Sequence, residues 1–310
     1  MLTGPNCPFV QRSRPLPLSH LLLSLAVVFV WGTNFVVIRW GLDGLPPFLF
    51  ATLRFTFSAL PWLLFLPRPK APWHKMAAFG VLLGVGQFGL LFLAIRSNIS
   101  PGLASLVVQL QVFFTIGLSL MLMGERVRAY QVVGLLLAVA GLGVIAMHLN
   151  ASVTALGLGL VLLAGFFWAC ANVVVKSIGQ VNMLHFVVWS SLFAVPPLLG
   201  LSWLLEGSPA KLWHTLQEAS TLTWASVGWQ AVGNSLFGFA AWNWLLSRHP
   251  AALVTPMALL VPVFGMSASA LALGEPLPAW KLGAGALVMA GLAVIVLWPR
   301  LQSALKDRPA

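Results

Sequence analysis

The sequence predicts an all-α integral membrane protein, with ten transmembrane helices in two inverted five-helix repeats. Three observations carry this. The composition is 59% hydrophobic and 7% charged, against about 25% charged in soluble domains. Apolar runs of about 20 residues, the length that crosses hydrocarbon, recur along the chain. A block of sequence also returns 150 positions on without a gap: Gly124-Glu125, Ala140-Gly141-Leu142 and Val144-Ile145 reappear as Gly274-Glu275, Ala290-Gly291-Leu292 and Val294-Ile295. Upstream, Leu103, Leu110 and Phe114 fall on Leu253, Leu260 and Phe264 in the same register.

The expected spans of the first repeat are Leu18 to Ile38, Pro46 to Leu66, Trp73 to Ile95, Pro101 to Met123 and Ala129 to Met147. Those of the second are Leu156 to Val175, Met183 to Leu205, Leu222 to Ser247, Ala251 to Leu273 and Ala279 to Trp298. Helix-stopping residues separate them, among them Pro46-Pro47, Pro67-Arg68-Pro69, Ser100-Pro101, Gly124-Glu125, Gly179, His249-Pro250 and Gly274-Glu275-Pro276. Five spans per repeat is an odd number, so the second copy enters the membrane upside down, an architecture used by secondary transporters. A looser match joins Trp31 and Val36-Val37-Ile38-Arg39 to Trp168 and Val173-Val174-Val175-Lys176, across a short indel. The repeats are bounded at 18–147 and 156–298, with tails at 1–17 and 299–310.

The net charge of +11 follows from membrane orientation rather than from nucleic-acid binding, for which no soluble basic domain exists. Loops on the amino-terminal side carry Arg12, Arg14, Arg68, Lys70, Lys75, Arg126, Arg128, Lys176, Arg248, Arg300, Lys306 and Arg308. The opposite loops carry Arg39, Arg96, Lys211 and Lys281. This positive-inside bias predicts that both termini are cytoplasmic. The proline-rich tail to residue 17 reads as a cytosolic segment, and the apolar run after it as a retained span, since it leads into Trp31-Gly32-Thr33-Asn34 with no small-residue cleavage site. Cys7 and Cys170 are too few for a disulfide framework or a metal site. The hydrophilic stretch from Glu206 to Thr221 is too short for a soluble domain, so the membrane bundle must carry the function.

A polar side chain in hydrocarbon is costly unless it meets a partner, another helix or a watery cavity. No Asp or Glu lies well inside a span, which removes the usual proton-coupling carboxylate and the paired acids of hydrolysis. Arg54 is the exception among charges, about 12 Å from the helix end at Pro46, at a cost of roughly 2.5–3.5 kcal/mol. It either attracts the carboxylate of an anionic or zwitterionic solute or ties helix ends together through backbone carbonyls. Trp31 and Asn34 share one face of the first span, and Trp168 and Asn172 one face of the sixth. These pairs suit a solute cavity, or interhelical hydrogen bonding with interfacial anchoring.

Gln87 lies on the face of Gly80 and Gly84, which points to helix packing as well as to the site. Gln109 and Gln111, two apart, point in different directions, so at most one should face a cavity. Asn234, Gly238 and Trp242 form a stripe with Asn243 beside it, and His185 reads as an interfacial histidine. Pro256 and Pro262 each free a carbonyl and kink the ninth span; their counterparts, Leu106 and Val112, are not proline, so the kink should be asymmetric. The two Gly-Glu turns read as a helix-ending glycine with an acid at the start of the next helix. Gly134, Gly141, Gly283 and Gly291 suit close helix packing, within the chain or across a homodimer.

At these residues the chain resembles the EamA family of the drug/metabolite transporter superfamily. The resemblance rests on Trp31-Gly32-Thr33-Asn34-Phe35-Val36-Val37-Ile38, Pro46-Pro47, Leu53-Arg54-Phe55, Pro101-Gly102-Leu103-Ala104-Ser105-Leu106-Val107, Trp168-Ala169-Cys170-Ala171-Asn172, Leu260-Val261-Pro262-Val263 and the two Gly-Glu turns. It runs from about residue 20 to 298, and within the family the chain looks most similar to bacterial exporters of O-acetylserine and cysteine. It implies helices one to four and six to nine around a central cavity, an inner-membrane location, and efflux of small metabolites, often amino-acid related; no cofactor or metal is expected. No family-wide catalytic residue exists to carry over. The expected partners are a small-molecule solute and the lipid bilayer. Multidrug or nucleotide-sugar transport is the alternative within the superfamily; a channel or sensor, or an intramembrane enzyme, lies outside it.

Overall fold

The computed structural model describes residues 16–123, 128–150, 153–249 and 251–306. The tail to residue 15 with Cys7, the Gly124-Glu125 turn, Pro250 and residues 307–310 lie outside the described residues. Those described are helical with no strand, apart from isolated bridges at Ile99, Asn150 and Val153. In hydrocarbon a backbone must satisfy its own hydrogen bonds, and a helix does so within one segment.

The helices are α1 (Leu18–Gly44), α2 (Pro47–Leu63), α3 (Trp73–Ser97), α4 (101–123), α5 (Ala129–Ala146), α6 (Ala155–Lys176), α7 (Met183–Leu205), α8 (Pro209–Glu218), α9 (221–248), α10 (251–273) and α11 (Ala279–Lys306). Eight of them are long and apolar enough to cross a membrane. Of the other two expected spans, α2 has 17 residues, and α9 carries Gln230, Asn234 and Asn243 among its tryptophans. The expected ends shift: α1 continues past Ile38 to Gly44, and α11 continues through Pro299 to Lys306. The hydrophilic stretch after Glu206, too short for a soluble domain, folds as α8, a short helix.

Large apolar side chains such as Leu60, Leu136, Leu204 and Leu271 face outward, a surface suited to lipid rather than water. Inside, Phe35, Ile38, Phe50, Phe92, Leu103 and Phe186 form a continuous core. Helix α1 packs on α9 and α10, α2 on α7, α3 on α6 and α7, and α4 on α6 and α10, so the two halves of the chain interleave. To one side α5 pairs with α11. There a Cβ on Gly134 would stand 2.7 Å from the Gly291 carbonyl oxygen, and one on Gly291 2.4 Å from that of Gly134. Gly141 similarly meets Ala284 and Val288, so these three glycines are used within one chain, while Gly283 faces open space.

How the helices start explains how the halves are joined. Helices α6, α7, α8 and α9 are capped locally by Thr154, Asn182, Ser208 and Ser220, which accept from first-turn amides. Helices α2 and α4 begin at proline with no cap of their own, and carboxylates from the other half of the chain supply it. Glu206 accepts from Phe48 N at 2.6 Å and Leu49 N at 2.9 Å, and Glu275 accepts from Gly102 N at 3.0 Å and from Ser100 Oγ. Gly274 ends α10 in the left-handed conformation, at φ 65°, as expected. The amides that Glu275 caps are those of α4, and it meets the next helix, α11, through the buried Lys281 at 2.9 Å. At the same end Arg96 donates to Leu42 and Leu45 carbonyls, and Arg39 to that of Arg96.

Leucine at Gly134 or Gly291 is expected to separate α5 from α11 and destabilise by about 1–3 kcal/mol, with Gly283→Leu near neutral as the control; thermal unfolding in detergent measures this. Burial pushes the Glu206 carboxyl above its ordinary 4.5, partly offset by its hydrogen bonds to Phe48, Ser202 and Leu49. The folded chain therefore holds a proton there that the unfolded chain has released. That contribution is complete below 4.5 and lost as pH rises through the raised value. The stability advantage of wild type over Glu206→Gln should accordingly shrink with rising pH in that window.

Candidate functional site

A cavity of about 460 Å³ lies between α1, α2, α3, α4, α6, α9 and α10, within the range of small-molecule sites. Four wall helices depart from α geometry beside it. Helix α3 has a π turn over Leu82–Gly89 and α9 one over Trp229–Phe237; α4 has a 3₁₀ turn over Val108–Leu110 and α10 one over Thr255–Leu259. Pro256 sits at the start of the α10 turn, where a missing N–H costs nothing. The matching turn of α4 forms without proline, so the irregularity itself occurs in both halves.

Arg54 is 1% exposed. Its Nη1 donates to Gln230 Oε1 at 2.6 Å and its Nη2 to Ser235 Oγ at 3.3 Å. Gln230 Nε2 in turn donates to Asn34 Oδ1 at 2.8 Å. The guanidinium lies 3.5 Å over the centre of the Phe88 ring. Arg54 Nε and Gln87 Oε1 are buried without a hydrogen-bond partner among the described residues. The partners of Arg54 are thus side chains of α9, not the backbone carbonyls of helix ends. Among the described residues no carboxylate belongs to the wall.

On the opposite wall Asn172 Nδ2 donates to Gln111 Oε1 at 2.9 Å and reaches Thr115 Oγ1 at 3.3 Å. Trp31 Nε1 donates to the Asn234 carbonyl at 3.2 Å, and its ring lies 5.2 Å from Trp242. Gly238 makes room for it, since a Cβ there would stand 2.3 Å from that indole nitrogen.

Trp31, Asn34, Arg54, Gln87, Gln109, Gln111, Trp168, Asn172 and Trp242 all belong to the wall. Asn243 does not; its amide donates to the Phe239 carbonyl. Pro256 and Pro262 also lie off the wall, which α10 supplies through Thr255, Ala258 and Val261. His185 is half-buried away from the cavity.

Helix phase decides between the two readings of Gln87 and overturns the expectation that at most one of Gln109 and Gln111 faces the cavity. Gly80 and Gly84 do pack on α7, at Ser190 and Ala194, but the π turn rotates Gln87 off that face into the cavity wall. Gln109 and Gln111 both reach the wall: a 3₁₀ turn advances about 120° per residue against about 100° in an α-helix, which brings residues two apart closer together in direction.

Gln230 and Ser235 went unread in the sequence. Gln230 lies one turn before the Asn234, Gly238, Trp242 stripe and extends it by the same spacing. Ser235 carries no such signal, because a π turn is what stacks residues five apart.

The model of the EamA-like transporter family matches residues 18–147 and again 155–297. The chain belongs to that family. It is 40% identical to a protein of Salmonella typhimurium described as a probable amino-acid metabolite efflux pump, over 90% of this chain and 95% of that one. An Escherichia coli protein of the same description is 39% identical, over 92% and 97%. A probable terminal-alkyne amino-acid exporter of Streptantibioticus cattleyicolor is 26% identical, over 86% and 90%. A solved crystal structure at 20% identity superposes with a TM-score of 0.61 over 90% of this chain and 96% of its own, a likeness of fold alone. The chain is therefore a multi-pass membrane protein of a transporter family.

Gln230→Leu strips a buried guanidinium of its closest partner and is expected to cost about 1.5–3 kcal/mol. Gln230→Glu supplies a charged partner instead and should raise the melting temperature in detergent, where Gln230→Leu lowers it.

Proposed function

We propose that this protein is an inner-membrane exporter of small amino acids or related metabolites of the O-acetylserine and cysteine type, working by alternating access. Ten spans, with α2 and α9 crossing alongside the eight long apolar helices, form two inverted repeats at 18–147 and 156–298, and both termini are cytoplasmic. The family model matching twice, the 150-residue recurrence and the paired π and 3₁₀ turns support the repeat.

The observation that carries the functional reading is the buried guanidinium of Arg54, set among amides and indoles in a cavity between the halves of the chain. Amino-acid metabolites carry a carboxylate that such a group binds through paired hydrogen bonds, and their small side chains suit a cavity of about 460 Å³. The two relatives at 39–40% identity support the same solute class. Every wall helix belongs to one half or the other, so rocking the halves would expose the same residues to alternate sides.

Overexpression should raise amino-acid metabolites in the medium, and inverted vesicles containing the protein should accumulate radiolabelled cysteine. Vesicles that take up neither cysteine nor any other amino-acid metabolite would overturn the solute class.

A further inference from the structure

Arg54 is the sole charged side chain in the cavity wall among the described residues, and the partners it has there are neutral groups. Gln230 and Ser235 occupy two of its five donors, and Nε has no partner among the described residues. The helix beside it places Phe88 on the guanidinium face and, one residue earlier, Gln87, whose Oε1 is also buried and unpartnered. A buried polar atom without a partner is uncommon and costly. Here an unmet donor on a cation and an unmet amide acceptor belong to adjoining helices of one cavity.

From this we infer that the cavity selects its solute by charge: it accepts carboxylates and zwitterions and rejects net cations, with Gln87 as the acceptor for the solute ammonium. The inference rests on the exporter reading and narrows its solute class. A carboxylate engages the Nε side of Arg54 and cancels its charge. The ammonium of the same molecule is then free to approach the Gln87 amide and the indole faces of Trp31 and Trp242, which host a cation only weakly. A solute with an amine and no carboxylate leaves Arg54 uncancelled. At about 6 Å separation and an effective dielectric of about 20, the repulsion corresponds to about a 100-fold loss of affinity. Lipophilic cations, which also lack a carboxylate, are excluded by the same term.

Cysteine and two analogues divide its charges. Cysteamine keeps the amine and thiol without the carboxylate; 3-mercaptopropionate keeps the carboxylate and thiol without the amine. Under reducing conditions, in proteoliposomes of the full chain, cysteamine should inhibit radiolabelled cysteine counterflow at least about 30-fold more weakly than unlabelled cysteine. 3-Mercaptopropionate should fall between them. Gln87→Glu, which places an acid beside Arg54, should reverse the order of the two analogues.

Thermal stabilisation of the detergent-purified protein by the same three compounds gives the ranking without transport. Cysteine counterflow with cysteamine as effective as cysteine overturns charge selection and leaves the exporter reading standing. The predicted ranking in stabilisation without movement of cysteine or any other amino acid overturns the exporter reading and keeps the charge selection. An unchanged analogue order in a folded, cysteine-stabilised Gln87→Glu protein overturns the role of Gln87.

Discussion

A guanidinium buried inside a lipid-embedded bundle, with no carboxylate to neutralise it, constrains everything around it. Such a charge is tolerated only where enough neutral dipoles converge, and the architecture of the site is the means of bringing them there. Gln230 and Ser235 are five apart on α9, and the π turn brings both to Arg54. Asn34 on α1 orients the Gln230 amide from behind, which makes its oxygen face the guanidinium. The π turn of α3 sets Phe88 against the planar face. Three helices besides α2 are thus positioned by one side chain, and two of them depart from α geometry beside it.

The two ends of the bundle are built differently. Away from the end where α1 begins, Glu206 and Glu275 each cap a helix contributed by the other half of the chain, and the ten residues of α4 from Pro101 to Leu110 are all buried. The next residues of α4, from Gln111 to Leu118, are only half-buried. Helix starts leave amides without intrahelical partners, and at this end those amides are satisfied across the junction of the halves. Separating the halves there would trade carboxylate acceptors for water, whereas the other end has no comparable pair among the described residues.

The sequence was most readable where hydrocarbon imposes the rule. Spans follow from apolar length, and the wall residues stand out because a polar side chain in a span needs a reason: Trp31, Asn34, Arg54, Trp168 and Asn172 were each visible on that ground. What could not be read was helix phase. An extra residue in a turn leaves no mark in a composition of Leu, Gly and Val, so Gln87 seemed to share a face with Gly80 and Gly84. Ser235 was hidden because serine is unremarkable in membrane helices, where it bonds its own backbone. The partner of Glu275 was equally hidden, since nothing local ties it to Gly102, 173 positions away.

The length of α2 links this site to the membrane itself. Its 17 residues rise about 25 Å, several ångströms less than a typical hydrocarbon core of about 30 Å. A short helix is accommodated by thinning of the surrounding lipid or by reorientation against its neighbours, and α2 carries the guanidinium on which α1, α3 and α9 converge. On the proposed ten-span arrangement, acyl-chain length acts on the same junction as the proposed solute, and bilayer thickness becomes a mechanical variable of the site.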